Sequence, residues 1–219
     1  MKNLLKFLIE TGKLKGKERR GWQIHQIKNP ETTAEHIFHL ALLVWVLGKN
    51  KKLNLERAIK MALVHDLCEV YALDTTPYDP LLPKDKKGIM KTLRKWPNFT
   101  PALKRKKEKD KHIMELRALN KLTANLPDNL KNEIKCLWLE YEKSLTKEAR
   151  FVKQADKTIN FFQGIEYWKK YGKIQHHLWF RWIKEIVDDS DLLEFIKVLE
   201  KKFYRKSKKN KSRDRKSVV

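Results

Sequence analysis

Glycine and proline are scarce in this chain, seven of each in 219 residues, too few for the many tight turns of an all-β fold. Cysteine is scarcer still. Cys68 and Cys136 form no paired-spacing motif, which excludes a disulfide framework and fits a reducing, cytoplasmic setting. Long apolar runs are missing as well. The opening MKNLLKFLIETGKLK is broken by Lys6 and Glu10, so it is too short and too charged for a signal peptide or a membrane span. It reads as an amphipathic first helix. Acidic residues are outnumbered, 27 against 50 Lys and Arg, leaving a net charge of +23 that attracts phosphate-rich partners but says little about fold.

What is present is helical pattern. A hydrophobic content of 41% beside 35% charge suits a folded globular chain, and this length suits one domain with a substantial core. Residues 33–48 repeat apolar side chains at helical spacing (Ile37, Leu40, Ala41, Val44, Trp45, Leu47), with Thr32 and Glu35 placed as a capping box. A second helix is expected from about Leu55 to Tyr71, stopped by TTPYDPLLP with its three prolines. Further helices are predicted near 110–124, 127–141, 146–170, 176–187 and 191–203, with Thr146 and Ser190 as caps. In the longest, Phe151, Val152, Ala155, Ile159, Phe162 and Ile165 should face inward.

The positive charge is uneven. Residues 84–111 carry twelve Lys or Arg against three acids, and residues 201–216 ten against one. The first tract falls in a basic, partly helical insertion of about 80–109. The second belongs to a basic tail, 204–219, expected to be disordered, which leaves residues 1–203 as a single all-α domain. Both tracts read either as nucleic-acid contacts or as solvated surface. The aromatics Trp45, Trp138, Trp168, Trp179 and Trp182 are core or subunit-interface material.

Against this background MALVHDLCEVYALD, residues 61–74, stands out: His65, Asp66 and Glu69 interrupt an apolar helix, and Asp74 follows. Charged groups are costly to bury without partners. On a helix His65 and Glu69 share a face, and Asp66 lies beside His65, so an imidazole and a carboxylate converge at one edge. Two other helices carry similar oddities: His36 in AEHIFHLALLVWV and Asp156 in FVKQADKTINFFQG. Two histidines and two carboxylates make a site for one divalent ion, whether Mn²⁺, Fe²⁺, Co²⁺, Zn²⁺ or Mg²⁺. Such an ion lowers the pKa of water and polarises a phosphoryl oxygen. Glu69, one turn from His65, is placed to orient that water or to protonate a leaving oxygen.

The blocks ETTAEHIFHLALL, ALVHDLCEVYALDTTP and EARFVKQADKTINFF resemble, in order, those of HD-domain metal-dependent phosphohydrolases, and within them the 5′-deoxynucleotidase group. The resemblance runs from about Trp22 to Gln163. It implies an HD-domain helical bundle, His36, His65, Asp66 and Asp156 as metal ligands, and Glu69 as the catalytic carboxylate. It also implies Asp74 facing the substrate sugar and Trp22 at an aromatic substrate position. Two departures stand out. Leu73 replaces the family's glycine before Asp74, and Gly21 replaces the basic residue before the tryptophan, leaving Arg20 or Arg19 to meet a phosphate. The implied activity is hydrolysis of (deoxy)nucleoside 5′-monophosphates by a homodimer. The alternatives are a larger phosphate ester, such as a dinucleotide or oligonucleotide end, and a non-catalytic nucleic-acid-binding protein.

Overall fold

The computed structural model describes residues 1–76, 79, 82–93, 101–172, 174 and 176–205, and every described element is helical apart from one isolated antiparallel bridge between Glu18 and Thr32. The elements are α1 (Lys2–Gly12), α2 (Arg20–Ile24), α3 (Thr33–Gly48), α4 (Leu55–Val64), α5 (Lys86–Leu93), α6 (Pro101–Thr123), α7 (Asp128–Lys143), α8 (Lys147–Tyr171), α9 (His176–Ile186) and α10 (Ser190–Leu199). Short 3₁₀ turns follow α1 and α4, at Lys13–Gly16 and Leu67–Val70. None of the described helices is long and apolar enough to cross a membrane.

Helix α8 is the axis of the bundle. It packs against α3, α4, α7, α9 and α10, and its buried side chains repeat at helical spacing through Phe151, Val152, Ala155, Ile159 and Ile165. Phe162 is half-buried beside them. Trp138, Phe161, Leu40, Met61, Leu119 and Ile183 are among the largest fully covered side chains of the core. Local chemistry sets the helix ends. Thr32 and Glu35 form the reciprocal capping box at the start of α3, and Thr146 accepts from the Ala149 N–H at the start of α8. Gly172, at φ +66°, closes α8 in the left-handed conformation that only glycine adopts without steric cost.

Three expectations need correction, and a fourth is narrowed. The helix expected to reach Tyr71 stops at Val64; His65 is its cap, and Asp66 takes φ −107° and ψ 11° before the 3₁₀ turn. Helix α6 starts at Pro101, not near 110, so much of the basic tract is regular helix. Of the two places expected for Trp45, core or subunit interface, its 55% exposure excludes the core, because the buried side of α3 runs through His36, Ile37, Leu40, Leu43 and Val44. Asp189, not Ser190, caps α10, since its carboxylate accepts from the N–H groups of Asp191 and Leu192. The tail from 206 onward, part of the insertion (77, 78, 80, 81 and 94–100) and the side chains of 101–107 lie outside the described residues, as do the side chains of His176 and His177.

Candidate metal centre

Helices α3, α4 and α8 each bring one ionisable side chain to the same buried point. Ligand atoms of His36, His65 and Asp156 all lie within 4.8 Å of one another, and the three residues are almost fully covered. The Nε2 atom of His36 stands 3.0 Å from Oδ1 of Asp156, and the Nε2 atom of His65 stands 3.1 Å from Oδ2 of Asp66. Neither contact has hydrogen-bond geometry: the two Nε2 atoms, and Nδ1 of His36, are buried without a hydrogen-bond partner. Nδ1 of His65 lies 2.8 Å from the carbonyl oxygen of Ala62, one turn back, which fixes that nitrogen as the donor and leaves the Nε2 lone pair directed inward. Lone pairs facing carboxylate oxygens with no hydrogen between them repel, and a cation placed among them removes the conflict. The donor set of imidazole nitrogens and carboxylate oxygens fits a divalent ion.

The surroundings hold His36 and Asp156 in the protonation states that ligands require, whereas at His65 the neighbouring Asp66 and Asp156 outweigh burial and raise the pKa, so a cation bound there would displace a proton. Burial drives the pKa of His36 down to about 4, helped by the positive charge of Arg19, so the ring is neutral. Burial opposes ionisation of Asp156, but the charge of Lys157 beside it outweighs that and keeps the carboxylate well below its ordinary range. Tyr141 donates its hydroxyl to Oδ2 of Asp156 at 3.1 Å, Lys157 donates to the same oxygen at 2.7 Å, and the Asn160 amide donates to Oδ1 at 2.9 Å. Sequence reading did not find these three. Asn160 had a signal, since it sits four residues after Asp156 on one helical face; Tyr141 comes from another helix and had none.

Asp66 stands at the rim of the trio. Its Oδ2 accepts from Nη1 of Arg19 at 2.8 Å, and Nη2 of the same guanidinium reaches Asn160 at 3.5 Å. The two neighbouring arginines diverge. Arg19 turns inward to the centre, whereas Arg20 donates to Asp79 through Nε at 2.8 Å and holds Asp74 through its backbone N–H at 2.7 Å. Trp22 is 3% exposed. Its ring stacks on Trp179 and meets Tyr167 edge-on, and its indole N–H donates to Glu31 at 2.8 Å. A Cβ on Gly164 would come within 3.1 Å of Trp179 and 3.4 Å of Trp22, so the glycine lets both indoles lie against α8. Trp22 thus reaches Arg19 only through Glu31, whose Oε1 also lies 4.0 Å from the Arg19 Nε.

Glu69 is buried in the 3₁₀ turn. Burial raises its pKa to about 8, the charge of Asp66 adds to the rise, and Arg19 opposes it. Its carboxyl lies 2.8 Å from the Thr33 hydroxyl, which also lies 3.3 Å from the carbonyl of Lys17. A hydroxyl has one hydrogen; when Thr33 gives it to Lys17, only a protonated Glu69 completes the pair. Lys17 in turn donates its ammonium group to the carbonyls of Glu69 and Ala72 and pins the turn. Cys68, beside it, is a covered core residue whose thiol burial holds protonated.

Comparisons with known proteins agree with this geometry. The HD domain family model matches residues 11–190. A Xenopus laevis protein named 5′-deoxynucleotidase HDDC2 is 34% identical over 80% of this chain and 75% of its own length. The Homo sapiens protein of the same name is 32% identical over 76% and 69%. The fold also matches a crystal structure from Magnetospirillum magnetotacticum, named a predicted metal-dependent phosphohydrolase, with a TM-score of 0.62 at 23% identity, covering 94% of this chain and 93% of the other. The three-helix ligand arrangement and these matches place the chain in the HD-domain family.

Proposed function

We propose that the chain is a metal-dependent phosphomonoesterase that hydrolyses (deoxy)nucleoside 5′-monophosphates to nucleoside and inorganic phosphate. The observation that carries this reading is the buried convergence of His36, His65 and Asp156 with ring nitrogens left unpartnered. These three and Asp66 would hold one divalent ion. When bound, such an ion polarises a phosphoryl oxygen and acidifies water. The relatives' printed name, 5′-deoxynucleotidase, supports the substrate class.

The remaining roles belong to the chain's own side chains. Arg19, ion-paired with Asp66 at the rim, presents a guanidinium that neutralises an incoming phosphate and the charge that develops on it. Glu69 carries a proton near neutral pH, and Thr33 steers its carboxyl, so it is the group that moves a proton to or from the reacting oxygens. Asp74, anchored by the Arg20 backbone, is assigned to the sugar, and Trp22 positions Glu31 beside Arg19. We read the protein as cytoplasmic, a reading supported by two free cysteines, and as a homodimer.

The test is phosphate release from a panel of ribo- and deoxyribonucleoside monophosphates after loading with Mn²⁺ or Co²⁺. The expected outcome is turnover of mononucleotides, and a rate about 10²- to 10⁴-fold lower in Glu69→Gln with metal content unchanged. Undiminished activity in Asp66→Ala would sink the metal mechanism. Intact mononucleotides beside hydrolysed oligonucleotide ends would move the substrate class to longer phosphates.

A further inference from the structure

Helix α6 carries two charged groups that none of the catalytic roles uses. Glu115 is buried. Nζ of Lys111, one turn earlier, stands 3.4 Å from its carboxylate, and the lysine side chain is half open to solvent. Burial pushes the Glu115 carboxyl up to about 7, and the charge of Lys111 opposes the rise. Taking a carboxylate out of water costs about what a half-exposed cation returns, so the pair adds little to stability. Its position in the fold accounts for it better.

Helix α6 packs against the 3₁₀ turn Leu67–Val70, which carries Glu69. Cys68 in that turn feels the charges of both Glu115 and Lys111. His112 sets the rotation of the helix: its ring stacks on Trp138 of α7 with centroids 5.2 Å apart, and its Nδ1 lies 3.6 Å from Glu142. Glu142 directly follows Tyr141, the residue that holds Asp156. Lys111 is thereby brought to the same end of the bundle as the metal centre. Burial opposes its charge, but Glu115, Asp66, Glu142 and Glu69 together outweigh that and keep the ammonium protonated.

We propose that Lys111 is a second phosphate-binding residue, whose ammonium rests on Glu115 and swings to the phosphate of a nucleotide seated at the metal centre. A phosphate monoester carries a charge of about −1.5 to −2 at pH 7, more than Arg19 answers while it is shared with Asp66. Other cations near the centre are committed. Arg19 is nearly covered and bonded to Asp66 and Asn160, Lys157 donates to Asp156 at 2.7 Å, Lys153 donates to the carbonyl of Glu142 at 2.8 Å, and Lys17 pins the turn. Lys111 combines a longer ion pair, a half-open side chain and a flexible four-carbon stem, which lets a compact ammonium move to an arriving anion. The proposal rests on the phosphomonoesterase reading and names a further residue of that site.

The test uses the full chain loaded with Mn²⁺ and reads the KM for a nucleoside monophosphate beside the inhibition constants of inorganic phosphate and of the product nucleoside. Lys111→Met should raise the KM and the phosphate constant about tenfold and leave the nucleoside constant and the metal content unchanged. Because that variant leaves Glu115 buried without its cation, Lys111→Met combined with Glu115→Gln guards against misfolding and should show the same shift. Lys121→Met removes a lysine from the same helix, one whose ammonium lies 4.1 Å from the Tyr71 ring centre, and should move none of the constants. An unchanged phosphate constant in both Lys111 variants, an equal weakening of nucleoside, or an equal effect in Lys121→Met overturns the assignment while wild-type turnover keeps the phosphomonoesterase reading. A wild type that leaves mononucleotides intact overturns that reading instead. Calorimetric titration of inorganic phosphate into the metal-loaded protein then decides Lys111: binding about tenfold weaker in Lys111→Met upholds it, and equal binding, or none to wild type, overturns it.

Discussion

The two ends of helix α4 bury the same kinds of side chain and put them to opposite uses. At the N-terminal end, Asn54 caps the helix and its own N–H donates to Glu148, while Arg57 donates to Glu140 and Thr146 adds its hydroxyl to the same carboxylate. Glu140 and Glu148 are buried, yet both accept hydrogen bonds, and Arg57 holds Glu140 below the usual carboxylate range. At the C-terminal end, His65 and Asp66 meet His36 and Asp156, and the facing ring nitrogens have no hydrogen-bond partner. The same helices build both ends. Glu140 and Tyr141 are adjacent on α7, and Glu148 and Asp156 are about 12 Å apart along α8. Buried polar groups that satisfy one another hold helices together; buried polar groups that face one another unsatisfied leave room for a ligand.

Three substitutions test that contrast, from the largest expected effect to the smallest. His65→Ala at the unsatisfied end should lower metal affinity by at least about 100-fold and abolish phosphate release, read by metal analysis and a phosphate assay. Full metal content in this variant would erase the distinction between the two ends. Tyr141→Phe removes one hydroxyl from Asp156 without removing a ligand. It should cost about 10- to 100-fold in metal affinity while the melting temperature of the metal-free protein stays nearly unchanged. Arg57→Ala at the satisfied end should do the reverse: about 1–3 kcal/mol lost in denaturant unfolding, because Glu140 is left without its charge partner, and metal affinity intact. A drop in metal affinity without a loss of stability would show that the two ends are not independent.

Much of this contrast was legible in the chain. The capping box at Thr32 and Glu35, the cap at Thr146 and the inward repeat of α8 depend on residues three or four apart, and the structure keeps them. His36 and Asp156 announced themselves as ionisable residues on apolar faces. The break after Val64 did not, because neither glycine nor proline marks it; His65 and Asp66 separate there into a helix cap and a turn residue. Trp45 was left open between core and interface, because an apolar face on both sides of α3 leaves periodicity unable to choose which side is buried. Arg19 and Arg20 are chemically identical, and only their partners on other elements tell them apart.

By itself, then, the sequence determined the helices, their caps and the types of ligand available, since each follows from spacing within one or two turns and from side-chain chemistry. Only the tertiary structure decided which nitrogens lost water without gaining a partner and which carboxylates were satisfied. It also decided which flank of α3 was left exposed. Those outcomes depend on α3, α4, α7 and α8 packing so that residues as distant as Arg19 and Asn160 meet. No local pattern along the chain encodes that contact.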